Sequence, residues 1–371
     1  MANDFSEKTA ETGNFIKCKD CGANLKYLPG TSFLNCEYCG AKNEIESELQ
    51  TEIIENDFES FLIEKSHTEE KQEISTVKCT NCAASTTLQP NVTSSTCPYC
   101  DTPLVIKNAS TSTIIKPSYV LPFKVDRKNA SQKFIGWVGG LWFAPNKLKD
   151  YAQHSAEKLN GIYMPYWTYD TNTVTHYTGM RGVYYYVTES YKDSEGKTRT
   201  RQVRHTNWFP ASGTVHNEFD DVLVVSSKSL PEKLANELEP WDLPELVSYN
   251  DKFLSGFITE SYQVDLKTGF EKAKERIQPI IRSAVIADIG GDDQQVASLN
   301  SSYNDITFKH ILLPVWLSSY RYNDKVYRFL VNARTGEVQG ERPYSAAKIA
   351  LLVITILVVV GTIIYFSQKN K

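Results

Sequence analysis

The stretch CKDCGANLKYLPGTSFLNCEYCG, Cys18 to Gly40, and the stretch CTNCAASTTLQPNVTSSTCPYCD, Cys79 to Asp101, share one spacing, C-x2-C-x14-C-x2-C. A CxxC turn brings two sulfurs to one side of an ion, and a second CxxC, returned by a short hairpin, supplies the other two. Four thiolates arranged tetrahedrally at about 2.3 Å make a closed structural zinc site. The fourteen residues between the knuckles suffice for strand, turn and strand: Leu25 and Tyr27, then Pro29-Gly30, then Phe33 and Leu34. Pro90-Asn91 stands where Pro29-Gly30 does, and Lys17, Ala23 and Tyr38 match Lys78, Ala84 and Tyr99. The predicted ligands are Cys18, Cys21, Cys36 and Cys39 for one Zn2+, and Cys79, Cys82, Cys97 and Cys100 for a second.

The rival readings fit less well. A rubredoxin-like iron site uses a longer interval between knuckles. A thioredoxin-like redox motif needs a helix after the first cysteine and a surrounding βαβ unit. A catalytic zinc needs an open position, which four cysteines close. Each module, at about 25–30 residues, is too small to fold on its own core and depends on the metal. All eight cysteines belong to these sets, which suits a reducing compartment. On this reading Cys18→Ser unfolds the first ribbon and spares the second.

Residues 43–75 carry eleven acidic side chains from Glu44 to Glu73, against Lys65 and Lys71. Ile45, Leu49, Ile53, Phe58 and Phe61/Leu62 recur at nearly helical spacing, so the segment reads as a helical acidic spacer. Residues 1–110 hold 9 basic and 17 acidic side chains, a poor footprint for a phosphate backbone. At the other end, IALLVITILVVVGTIIYFSQ lies between Lys348 and Lys369. Twenty uncharged residues span ~30 Å as a helix, the thickness of bilayer hydrocarbon. Thiolate ligands and the cations Arg334, Arg342 and Lys348 point to a single-pass, tail-anchored layout with the bulk of the chain in the cytoplasm.

Between these parts lies an α+β body, residues 109–345, with antiparallel hairpins. YVLPFKV, IYMPYWTYD and ILLPVWLSSYRY, starting at Tyr119, Ile162 and Ile311, read as strands whose prolines mark entries or edges. The last two share P-x-W, a hint of an internal repeat. Helices are expected over 127–138 behind an Asp126 cap, over 146–159, around Pro231–Glu239 and over Asp265–Ile286. Hairpin turns fall near Asp193–Gly196 and Asn332–Gly336. The full division is ribbon 1 (1–42), spacer (43–75), ribbon 2 (76–108), body (109–345), membrane helix (346–368) and tail (369–371).

The body shows little that reads as catalysis. Ser194–Thr198 resembles the end of a P-loop, but Tyr191 stands where the first glycine must be. The six histidines form no HExxH or close pair, and Asp220-Asp221 and Asp292-Asp293 read as loop residues. Lys192, Lys197, Arg199, Arg201 and Arg204 flank a tyrosine-rich hairpin, with Arg199, Arg201, Val203 and His205 on one face. That patch is either a solvated strand face or a contact for anionic lipid or nucleic acid.

The CxxC(G) knuckles, GIYMPYWTYD…YTGMRG, LLPVWLSSYRYNDKVYRFLVNARTGEVQGERP and the terminal apolar segment resemble a bacterial family of TFIIB-type zinc-ribbon membrane proteins. Members are often labelled primosomal protein N′ or PriA-type helicase-like. Some resemble membrane partners in phage-shock-type envelope-stress cassettes. The resemblance implies a membrane-anchored, non-enzymatic adaptor that recruits cytoplasmic protein partners. The alternative is a nucleic-acid-binding protein linked to replication, without a helicase motor.

Overall fold

The computed structural model of the chain describes residues 16–45, 53–64, 71–80, 84–88, 94–99, 102–105, 110–148, 150, 158–323 and 325–369. Its centre is a nine-stranded sheet built on three very long strands, Asn160–Lys192, Thr198–Val225 and Asp293–Tyr322. The first lies between the other two and is antiparallel to both. From the Tyr166–Val225 pair to the Lys192–Thr198 pair the hairpin runs about 90 Å, at about 3.3 Å per residue. Helix Leu266–Ile289 lies against this sheet through Phe270, Ala273, Ile277, Ile281 and Val285.

The burial pattern explains how one strand serves two purposes. Residues 162–169 are buried without interruption, so both faces are covered there. From residue 171 buried and exposed positions mostly alternate, and Thr171, Thr173, Thr175 and Tyr177 point inward. The sheet is therefore two-faced core at its base, covered on one side as far as Gly182, and largely exposed on both faces toward the hairpin tip.

The prolines correct the sequence reading: Pro165 and Pro314 lie inside long strands, not at entries or edges. Each sits where the neighbour on one side changes. Strand Ile258–Thr259 pairs in parallel with Ile162 and Tyr163, and the second long strand takes over at Tyr166. Likewise Tyr119–Val120 pairs in parallel with Ile311 and Leu312, and strand Lys325–Asn332 takes over at Val315. The missing proline N–H thus falls at a gap between neighbours. The carbonyls are used identically: Ser226 N–H donates to Pro165 O at 3.1 Å, and Ala333 N–H to Pro314 O at 3.0 Å.

The P-x-W correspondence extends to the tryptophans. Trp167 Nε1 donates to Val264 O at 2.9 Å and Trp316 Nε1 to Val125 O at 2.8 Å. Each valine precedes an aspartate that caps a helix. Asp126 accepts from Asn129 N–H ahead of Arg127–Gly139, and Asp265 from Thr268 N–H ahead of Leu266–Ile289. The two P-x-W segments share this arrangement, each tryptophan holding the carbonyl just before a helix cap.

Helices begin at Asp126 and Asp265 as expected, and the turns at Asp193–Lys197 and Asn332–Gly336 close the expected hairpins. Residues 232–236 form a short helix within the expected span. Most of the helix expected over 146–159 lies outside the described residues. The acidic segment departs from expectation. Strand Lys42–Glu44 belongs to the first cysteine module, and Asn56–Asp57 pairs with Thr307 and Phe308 of the body. Among the segment's described residues helix covers Phe58–Glu64, and Lys71–Lys78 is a strand paired with Ser110–Ile115 and Ser85–Leu88. Apolar side chains decide this: Phe58 is buried against Tyr169, Phe270 and Phe308, so the part of the segment around Phe58 is core and not a solvated spacer.

Candidate metal centre

Strands Asn24–Tyr27 and Phe33–Cys36 return the chain between the first two CxxC knuckles. Within each knuckle a backbone bond closes the turn: Cys18 N–H donates to Ala23 O at 2.7 Å and Cys36 N–H to Ala41 O at 2.9 Å. Gly22 and Gly40 follow the second cysteine of each knuckle at φ +73° and +77°, a left-handed conformation that favours glycine. The sulfurs of Cys18, Cys21, Cys36 and Cys39 all lie within 4.8 Å of one another. Cys18 Sγ is 3.7 Å from Cys39 Sγ, and Cys21 Sγ is 3.5 Å from Cys36 Sγ.

This geometry suits a single cation held by four thiolates. The Cys39 N–H holds the Cys36 thiol down, to about 7. The Ala23 N–H favours the Cys21 thiolate, but burial and the neighbouring sulfurs of Cys39, Cys36 and Cys18 push it up to about 12. Crowded sulfurs resist sharing negative charge, and a bound cation removes that resistance.

In the second module Cys79 and Cys97 are buried, as Cys18 and Cys36 are; Cys82 and Cys100 lie outside the described residues. Cys79 N–H donates to Ala84 O and Cys97 N–H to Thr102 O, both at 2.8 Å, repeating the closure of the first module's knuckles. Strands Ser85–Leu88, Ser94–Thr96 and Pro103–Val105 follow the same order as the first module's strands.

Both modules are seated on the body, on opposite faces of its base. Leu25, Tyr27, Leu34, Cys36 and Ile45 share a core with Phe123, Tyr163, Phe253, Phe257 and Trp316. Ser255 Oγ donates to Leu25 O at 2.7 Å, and Gly30 N–H to Phe123 O at 2.8 Å. Val77, Cys79, Cys97, Tyr99 and Leu104 pack with Ile162, Met164, Tyr166, Ile311 and Leu313. Tyr99 Oη donates to Glu260 Oε2 at 2.6 Å. Glu260 Oε1 accepts from Ser227 Oγ and Gln263 Nε2, both at 2.8 Å, and from Ser229 Oγ. Burial pushes Glu260 up to about 7, with the hydroxyl and amide donors opposing. Composition offers no signal for this network; the matching position in the first module, Tyr38, is exposed.

A second group, Glu55, Asp170 and Asp220, brings carboxylate oxygens together. A cation already stands beside it. Lys309 Nζ is 2.5 Å from Glu55 Oε1, 2.8 Å from Asp221 Oδ1 and 3.7 Å from Asp170 Oδ2. Burial and the adjoining Glu55 carboxyl raise Asp170 to about 7. The arrangement is an ion-pair network that fastens residue 55 to the arm, and Asp221 takes part in it.

The hairpin patch is largely self-neutralised. Arg199 pairs with Asp193 at 2.7 Å, Lys197 with Glu195 at 3.0 Å and Arg201 with Glu189 at 3.2 Å. Arg204 lies 4.2 Å above the Tyr184 ring. Ser194–Thr198 forms a tight turn whose Asp193 Oδ1 accepts from Glu195 and Lys197 N–H, each at 3.0 Å. His310 is buried beside Trp167, and burial lowers it to about 4. Helix Ala346–Lys369 is long and apolar enough over Ala346–Gln368 to cross a membrane, and none of that stretch is buried against the protein.

No protein-family profile matches the chain, and no solved structure matches it. Among curated proteins it is similar to YdjG of Bacillus subtilis (strain 168), an uncharacterized protein, with 26% identity over 237 residues. The match covers 64% of this chain and 66% of the relative's length.

Proposed function

We propose that the chain is a membrane-anchored adaptor in which two zinc ions stabilise the cysteine modules, and the body and its long arm hold cytoplasmic protein partners at the inner membrane face. The observation that carries this reading is one chain joining a four-thiol set, anchored in the core through Cys18 and Cys36, to an unburied apolar helix. A closed set leaves no coordination position for substrate, which favours a structural ion and a non-enzymatic role. The second ion is assigned to Cys79, Cys82, Cys97 and Cys100 because the two described knuckle turns repeat the closure of the first module. The length of the arm favours a scaffold. The replication-linked alternative would use the cysteine modules together with the hairpin patch, and the internal ion pairs of that patch leave little charge for phosphates.

The test is crosslinking in cells followed by capture from solubilised membranes, comparing the full chain with one ending at Tyr344. A specific cytoplasmic partner, membrane-located only with the full chain, supports the adaptor. Salt-sensitive binding of duplex DNA without such a partner supports the alternative.

A further inference from the structure

The loop Leu141–Ala144 follows helix Arg127–Gly139 and carries an exposed tryptophan. Trp142 is 78% exposed, although Ala144 beside it is 4% exposed and part of the core. A large aromatic side chain this open offers an apolar face and a polar N–H tip to whatever lies beside it. The loop is fastened to the start of the apolar helix. Ser345 N–H donates to Phe143 O at 2.7 Å. Lys348 Nζ donates to Trp142 O at 3.1 Å and to Ala144 O at 2.8 Å. Trp142 is therefore level with the first turn, and the uncharged run begins one residue later at Ile349.

We propose that Trp142 is a second membrane contact, its indole resting in the headgroup–acyl boundary where the helix enters lipid. The proposal rests on reading Ala346–Gln368 as a membrane span. Tryptophan and tyrosine concentrate at that boundary because they present an apolar ring and a polar tip. The far end of the helix carries its own pair, Tyr365 and Phe366, with ring centroids 5.6 Å apart. The near end has Tyr344, 61% exposed, with the Arg342 guanidinium 5.3 Å from its ring. Trp142 completes this near belt from a loop about 200 residues earlier. Ile135, also exposed, lies on the helix that leads into the loop. The consequence is mechanical: with Trp142 seated and Lys348 bonded to the loop, the body is held to the bilayer at two points and does not swing on a tether.

The experiment uses the full chain in phosphatidylcholine vesicles whose acyl chains carry bromine near the headgroup. Tryptophan quenching is compared for the wild type and Trp142→Phe, which alters an exposed side chain and leaves the fold intact. The quenched fraction should fall by about half or more in the variant if Trp142 supplies the interfacial indole. Equal quenching in the two proteins, with both still in the vesicles after an alkaline carbonate wash, would overturn the proposal and leave the span standing. Loss of the wild type in that wash would remove the span and the proposal together. Little quenching, with a change in oligomer size for Trp142→Phe, would assign the surface to a second copy instead.

Discussion

Tyr99, which stands between Cys97 and Cys100, donates its hydroxyl to Glu260 at 2.6 Å and so ties a cysteine knuckle to a carboxylate buried in the body. Tyr99→Phe deletes that donor and leaves one carboxylate oxygen short of a partner. Losing a hydrogen bond to a buried charged group costs on the order of 1–3 kcal/mol. Thermal unfolding of Tyr99→Phe should shift down accordingly, while Tyr38→Phe, at the matching but exposed position, should leave it unchanged. Equal shifts for the two would refute a specific role for the Tyr99–Glu260 bond.

The same carboxylate gives the fold a pH dependence of predictable sign. Burial raises Glu260 to about 7 in the folded chain, above its ordinary carboxylate value. The folded state then holds more protons than the unfolded state between roughly pH 4.5 and 7. Stability from this group is full below that window, falls as pH rises through it and is level above it. The drop is at most about 3 to 4 kcal/mol. Denaturant midpoints followed across pH 4.5–8 should show this component in the wild type and lose it in Glu260→Gln.

Metal removal should reach the body. The sequence reading isolates the modules, so that Cys18→Ser harms one and spares the other. In the fold, Cys18 and Cys36 share a continuous core with Phe123, Phe257 and Trp316. Cys18→Ser should therefore lower the cooperative unfolding temperature of the whole chain. It should also release the metal assigned to Cys18, Cys21, Cys36 and Cys39, read as zinc by elemental analysis. A second, unshifted transition carrying the body's signal would favour independent modules instead.

How much of this was legible depends on the range of the interaction. Knuckles, helix caps and hairpin turns are local, and Cys18–Cys39, Asp126, Asp265 and Asp193 declare them within a few residues. The apolar helix is a run of one residue class. The distal hairpin of the arm is legible, but the full length of the strands was hidden because burial changes from continuous to alternating near Asp170, and because Pro165 and Pro314 look like boundaries. Their tolerance depends on where neighbouring strands end, which only the sheet order decides. Tyr99–Glu260 and Lys348–Trp142 join residues far apart in sequence, and nothing local marks either pair.

Helix Leu266–Ile289 lies so close to the first long strand that one hydrogen atom's worth of space matters. A Cβ on Gly269 would stand 2.3 Å from Tyr169 Oη and 2.9 Å from Trp167 Cδ1. Neither ring can retreat cheaply. Tyr169 Oη donates to Leu266 O at 2.7 Å, and Trp167 Nε1 holds the Val264 carbonyl just before the cap. Gly269→Ala gains helix propensity, worth roughly 1 kcal/mol, but must push the helix start from the sheet. Overpacking of this kind costs about 1–3 kcal/mol, and the lost ring hydrogen bonds add to it. The variant should unfold at lower denaturant than the wild type. Gly136→Ala, in helix Arg127–Gly139 and facing open space, should be neutral or stabilising. The reverse order of the two would show that the Tyr169–Trp167 seat is not what holds the arm's helix in place.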